Sequence, residues 1–433
     1  MLEAHVQPDA LGLYLSVPFC RSKCTFCNFA SDVYPASELP RYVLRLVEDL
    51  AGARVQAQQA GLVLPVQVDT IYFGGGTPSI LLPDQLRSIF AAIRAEFSIQ
   101  PNAEITLEAA PAMLADDLLA AAVESGVTRI SFGVQTFVDA EARAVGRLHT
   151  AAQALDDIAR ARQARLSVSV DLIAGLPGQT EASWQHSLAT LGEAAPEHAS
   201  IYMLEVDQDS RLGGEMLLGG IRYGAGLTPS DDAVADFYAE ACTALAGQGL
   251  AQYEISNFAR SGQESRHNQR YWLRRPYLGL GLDAHSMLRS AASLPAAGPS
   301  AEWAWTDRHA GDAVRFSTEG DLASYMQAGP AWVGPDRLTP AEEFEEAWFL
   351  GLRRNGGVSL TALRAEFGPE RVSRCTPVLA ALADDGLVTL IDGQAALTER
   401  GRMLSNDVFL SFLSISDSYR DAPESSAMAY ASR

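Results

Sequence analysis

From residue 11 to about 205 the chain alternates short apolar, β-rich runs with longer stretches rich in Ala, Leu, Glu and Arg. The runs cover 11–17, 68–74, 104–108, 128–133, 166–174 and 199–205. The helical patterns cover 41–60, 83–97, 114–125, 140–164 and 181–194, with a further helix at 231–247. Strands separated by helical crossovers pair in parallel, so six β/α repeats predict an α/β fold around a parallel sheet. No nucleotide-binding glycine fingerprint marks a doubly wound switch point, which favours a curved or open barrel. In such barrels chemistry sits at the C-terminal ends of the strands.

The pattern loosens after residue 205. The Gly-rich stretch 209–229 reads as loop and 251–259 as one more strand. Residues 289–334, opening with an Ala-, Ser- and Pro-rich run, read as a linker. Helices are expected at 340–352, 360–367 and 372–385, and two short runs follow, joined at Asp392-Gly393. Asp-Gly between β-rich runs signals a hairpin, so 335–415 predicts a winged-helix-like unit. The tail 416–433 is polar and predicts disorder. Residues 1–288 are then the core domain.

Composition narrows the partners. The chain has 433 residues and a net charge of 33 − 53 = −20. Such an excess repels phosphate and argues against nucleic acid. The one compact basic cluster is Arg266, Arg270, Arg274 and Arg275, a size suited to a small anion. Five cysteines in this length make no disulfide framework. No secretory start is visible and no run approaches the roughly 18 apolar residues of a membrane span, so a cytoplasmic address is expected.

Three of those cysteines, Cys20, Cys24 and Cys27, fall within eight residues directly after the first strand. Thiolates select zinc, copper(I) or iron–sulfur clusters. Zinc would need a fourth ligand, and the first histidine downstream is His149. A [4Fe–4S] cube normally takes four cysteines, so three leave one iron open. Further on, Gly74-Gly75-Gly76-Thr77 ends the second strand, where glycines allow close backbone approach. Glu108, Gln135, Arg147 and Asp171 lie on or just beyond the third to fifth strands. An internal salt bridge of Glu108 with Arg129 or Arg147 is the alternative to a binding role there.

The C-x3-C-x2-C loop resembles that of the radical S-adenosylmethionine (SAM) superfamily. The resemblance implies a partial (β/α)6 barrel, a [4Fe–4S] cluster on Cys20, Cys24 and Cys27, and SAM on the open iron. The Gly133-Val134-Gln135-Thr136-Phe137 and Asp171-to-Pro177 runs are similar to those of the coproporphyrinogen oxidase group. By that likeness Tyr14, Gly75, Gly76, Thr77, Glu108, Gln135, Arg147 and Asp171 are the SAM-contacting positions. Ala110 departs from the group's usual Asn and removes one expected hydrogen bond.

Two features favour the heme chaperone branch over the oxidases. Phe29 stands where the oxidases carry a fourth cysteine, and only ten residues precede Leu11. The run His267-Asn268-Gln269-Arg270-Tyr271-Trp272 is similar to that branch's H-N-x-x-Y-W mark. His267, Tyr271 and Trp272 are therefore heme candidates, with His285 a further one; a structural loop histidine and a core tryptophan are the alternatives. The implied partners are heme and a heme-accepting apoprotein, membrane-associated or not, with a homodimer left open. Competing expectations are oxygen-independent coproporphyrinogen III oxidation and a DNA-binding C-terminal unit with a redox-sensing cluster.

Overall fold

The computed structural model describes residues 10–291, 310–327, 329 and 332–413. The expected tail therefore lies outside the described residues. Six parallel strands form the heart of the sheet: β1 (Leu11–Val17), β2 (Gln67–Gly75), β3 (Ser98–Ala109), β4 (Arg129–Gln135), β5 (Ser167–Ala174) and β6 (His198–Met203). They run side by side in sequence order. The crossovers carry α1 (Leu39–Gln59), α2 (Pro83–Glu96), α3 (Asp116–Ser125), α4 (Asp139–Ala144), α5 (Ala151–Gln163) and α6 (Glu181–Ala194). This is the partial (β/α)6 barrel expected; its sheet continues antiparallel beyond β6, and beyond β1 through one more parallel strand, Tyr277–Leu280, before antiparallel strands follow.

Each strand sorts its side chains by parity, because successive residues face opposite sides of a sheet. Leu11, Leu13, Leu15, Val17, Ile71, Phe73, Ile130, Phe132, Val168, Val170 and Ile201 are buried in one core with Tyr42, Leu46, Phe90, Leu118 and Trp184 of the helices. The alternate positions carry Tyr14, Tyr72, Thr106, Glu108, Ser131, Ser169, Asp171 and Ser200. The lumen is thus polar, and the apolar core lies outside the barrel wall.

The structure corrects several expectations. The helix expected over 140–164 is two, α4 and α5, parted at Gly146 (φ 84°). Thr150 restarts the chain as an N-cap, accepting from Gln153 N while the Gln153 side chain reaches back. The break matters, since it holds Arg147. The stretch 209–229 is no simple loop: it contains α7 (Arg211–Leu217) and a 3-10 turn at Arg222–Leu227, followed by α8 (Asp231–Gly247). The segment 251–259 splits into Ala251–Gln252 and β7 (Asn257–Ala259). Residues 266–272 form a helix, α9 (Arg266–Trp272), leading into β8 (Tyr277–Leu280) and β9 (His285–Ser290). The segment 289–334 read as linker shares β9 and supplies a strand at Ala313–Ser317, both joined to the main sheet.

The C-terminal unit has its own core around Trp348, Phe344, Leu363, Leu379 and Phe412, with Trp348 and Phe412 stacked at 4.4 Å. Its hairpin turns at Asp392 (φ 49°) and Gly393 (φ 76°), the left-handed pair a two-residue loop requires. Ile255 of the barrel inserts into this core, and Arg274 grips Glu366 in two-pronged fashion at 3.0 and 2.7 Å.

Candidate functional site

The three cysteines follow β1 at the C-terminal rim, where barrel chemistry is expected. The rim loops clamp their loop. Cys20 N donates to Asp32 O (2.9 Å), Thr25 N to Val145 O (3.1 Å), and Leu212 N of α7 to Thr25 O (2.8 Å). Gly76 N and Thr77 N donate to Val17 O (3.0 Å) and Phe19 O (2.9 Å), docking the triple-glycine turn on the same loop. A Cβ at Gly76 would lie 2.8 Å from Val17 O and from Pro18 C, both backbone, so only glycine permits this approach.

All three thiols are free and partly buried. Each has a polar neighbour: Thr77 Oγ1 donates to Cys20 Sγ (3.6 Å), Arg147 Nη1 to Cys24 Sγ (3.5 Å), and Ser31 Oγ stands 3.9 Å from Cys27 Sγ. Such outer groups orient sulfur ligands and tune what they bind. Burial pushes the Cys20 and Cys27 thiols up, so loading a metal there must release protons.

Below the loop the predicted SAM residues gather on one end of the lumen. Tyr14 and Tyr72 pair across β1 and β2 with rings 6.2 Å apart, and Tyr72 Oη donates to Glu108 Oε1 (2.8 Å). Glu108 faces Ser131, whose hydroxyl lies 3.4 Å from Asp171 Oδ1. Gln135 takes a left-handed backbone (φ 69°) at a β4 irregularity, and Arg147 donates through Nη2 to Gly133 O. Burial raises Glu108 to about 8; the Tyr72 hydrogen bond lowers it and the Asp171 charge raises it. Burial also raises Asp171 to about 6, against Ser200, Ser131 and Arg147. The internal salt bridge weighed for Glu108 does not form: Arg129 pairs with Glu104 (3.5 Å) instead.

This donor set fits SAM. Among the described residues neither Glu108 nor Asp171 is in an ion pair, and SAM brings an ammonium and a sulfonium cation. Arg147 Nε is buried without a hydrogen-bond partner, a donor left over for a carboxylate. Gly75 (φ 99°) leaves no room for a side chain, since its Cβ would meet Ser16 Oγ at 2.7 Å.

The heme candidates are placed differently. His267 is buried on the inner face of β2. Its Nδ1 lies 3.0 Å from Thr70 Oγ1 and its Nε2 2.8 Å from Tyr271 Oη, so both nitrogens are engaged. Burial lowers its pKa to about 3. Tyr271 packs edge-on to Tyr277 at 4.6 Å, and Arg353 of the C-terminal unit lies 4.4 Å over the Trp272 ring. The expected arginine cluster disperses as well. Arg270 is fully buried against Asp69, Ala10 O (2.7 Å) and Pro276 O (3.1 Å), while Arg274 holds Glu366. Gly12 makes room for the Arg270 stem, for a Cβ there would meet Arg270 Cδ at 2.5 Å. His285, by contrast, is exposed at the start of β9, close to Asp283 and the mouth. Sequence reasoning missed Tyr72, Thr70 and Asp69; the alternation of polar and apolar residues along β2 was the available signal.

The loop geometry, the glycine turn and the lumen define the class: this is a radical SAM fold. The radical SAM superfamily model matches residues 14–191 and the HemN C-terminal domain model 338–404. The solved structure of coproporphyrinogen III oxidase (HemN) from Escherichia coli superposes with a TM-score of 0.76 at 23% identity, covering 95% of this chain and 92% of that one. More specifically, the chain belongs to the heme chaperone HemW family. It is 31% identical to the heme chaperone HemW of Bacillus subtilis over 92% of this chain and 98% of that one. With the HemW of Lactococcus lactis the figures are 30%, 92% and 96%. Radical SAM membership carries a [4Fe–4S] cluster and SAM as cofactors.

Proposed function

We propose that the protein binds heme and passes it to acceptor apoproteins, with a SAM-bearing [4Fe–4S] cluster at the barrel mouth. The observation that carries this is the match to proteins named heme chaperones from one end of their chains to the other. Phe29, two-thirds exposed where the oxidases are expected to carry a fourth cysteine, supports it. Cys20, Cys24 and Cys27 would hold the cluster. Arg147 would take the SAM carboxylate, Glu108 and Asp171 would face its cationic and hydroxyl groups, and Tyr14, Gly75, Gly76, Thr77 and Gln135 would wall it in. When bound, the cluster supplies a one-electron donor beside a sulfonium. Among the described residues no helix is long and apolar enough to cross a membrane. A cytoplasmic place and a membrane-associated acceptor belong to the same proposal.

Titrating hemin into anaerobically reconstituted protein should give a saturable Soret shift, and the bound heme should move to a heme-free acceptor on mixing. No saturation would end the proposal. The second reading, oxidative decarboxylation of coproporphyrinogen III, draws on the intact SAM-binding set. It requires protoporphyrinogen to form when coproporphyrinogen, SAM and a reductant are supplied to cluster-loaded protein; an inert preparation removes it.

A further inference from the structure

One cavity lies away from the cysteine end. A cleft of about 720 Å³ opens at the opposite end of the strands. Its wall is made by the starts of β3 to β5, the end of α5, the residue before β6 and the first turn of α9, including Glu104, Arg129, Arg165, Glu197, Arg266 and Gln269. We propose that this cleft binds a small dianion, a phosphate or a dicarboxylate, at the N-terminal face of the barrel.

The charges on the wall are unequally used. Glu104 is consumed: it accepts from Arg266 N (3.1 Å) and His267 N (3.0 Å) and pairs with Arg129 Nη1 (3.5 Å). Glu197 accepts from Val168 N (2.9 Å), leaving only a 4.0 Å approach to Arg162 Nε. The cations keep more of their capacity. The Arg266 guanidinium donates to two carbonyls, Asp69 O (2.9 Å) and Asn102 O (2.7 Å), which leave its full charge in place. Among the described residues Arg165 pairs with no carboxylate. Glu104, Glu197 and Glu264 also line the cleft, so its four arginines exceed its carboxylates by one charge.

The second observation is at the floor. Arg129 is 5% exposed and Gln269 2% exposed. Arg129 Nε and Gln269 Oε1 are buried with no hydrogen-bond partner. Burying an unpaired donor and acceptor is costly, and both line this cleft. A charged oxygen satisfies the guanidinium edge, and a protonated oxygen of the same group satisfies the Gln269 carbonyl. Hydrogen phosphate offers both and a dicarboxylate the first, and arginine suits either by its planar fork. The site stands apart from the heme reading.

The test uses the full-length protein, titrated calorimetrically with inorganic phosphate in one arm and malonate in another, at constant ionic strength with chloride as control. Saturable binding of either supports the site, and the preferred arm names its source. Arg129→Gln would also remove the Glu104 pair and disturb folding, so the informative variant is R162E/R165E on the exposed rim. It should weaken the preferred anion by about tenfold or more, in line with charge-assisted hydrogen bonds. No saturable binding in either arm, or wild-type affinity in the reversed-charge variant, overturns the proposal.

Discussion

Two polar groups of residues share the inner face of the sheet, and they differ in how completely they are satisfied. Around α9, Arg270 has two carbonyls and a carboxylate, and His267 has a partner at each nitrogen. At the mouth, Arg147 Nε has no partner, and Glu108 and Asp171 have no ion pair among the described residues. Buried polar groups are costly unless paired. A closed network therefore supports the fold, while an open one is held ready for a ligand. The conspicuous motif is the more fully satisfied of the two, and the quieter residues keep the unpaired groups.

The largest expected effect tests the mouth. Cys20→Ala, Cys24→Ala or Cys27→Ala each leaves two thiolates, so iron content after reconstitution should fall to near zero. Cys242→Ala should leave it unchanged. Iron retained by any of the first three would contradict the three-ligand assignment.

Next comes the closed network. Arg270→Met takes the guanidinium away from buried Asp69, and breaking a buried pair from one side costs about 3–5 kcal/mol. Chemical denaturation should show this loss; a variant as stable as wild type would mean that Asp69 finds water or another partner. His267→Gln removes at least one of two buried hydrogen bonds and should cost about 1–3 kcal/mol. Its heme uptake per folded molecule should then match wild type. Lost heme uptake at an unchanged melting temperature would return α9 to the heme site.

The least direct test is a pH dependence. Glu108 titrates near 8 in the folded chain against an ordinary 4.5. A raised carboxyl favours the fold at low pH and withdraws that support as pH climbs through its folded value. Cofactor-free protein should therefore lose stability between about pH 4.5 and 8, and Glu108→Gln should flatten the curve. Parallel curves for the two proteins would place Glu108 in contact with water.

Much of the fold could be read from periodicity, because the six parallel strands are short apolar runs set between long helical patterns. The cysteine loop and the triple glycine were legible for a similar reason: their chemistry is local. The rest depends on distant partners. Arg147 reads as mid-helix until Gly146 and the Thr150 cap are weighed together. His267 and Arg270 look like binding groups in one dimension, and only the register that sets Thr70 and Asp69 beside them reveals their saturation. The strand at Ala313–Ser317 was hidden because it is a short run that finds its place only by pairing with β9.

The clamp on the cysteine loop has a further consequence. Thr25 is hydrogen-bonded on one side to Val145 and on the other to α7, and Asp32 closes the loop behind Cys20. The bonds that order three sulfurs are thus made by the chain's own backbone. A change at Thr25 or Asp32 would therefore act on all three thiols at once without touching any of them.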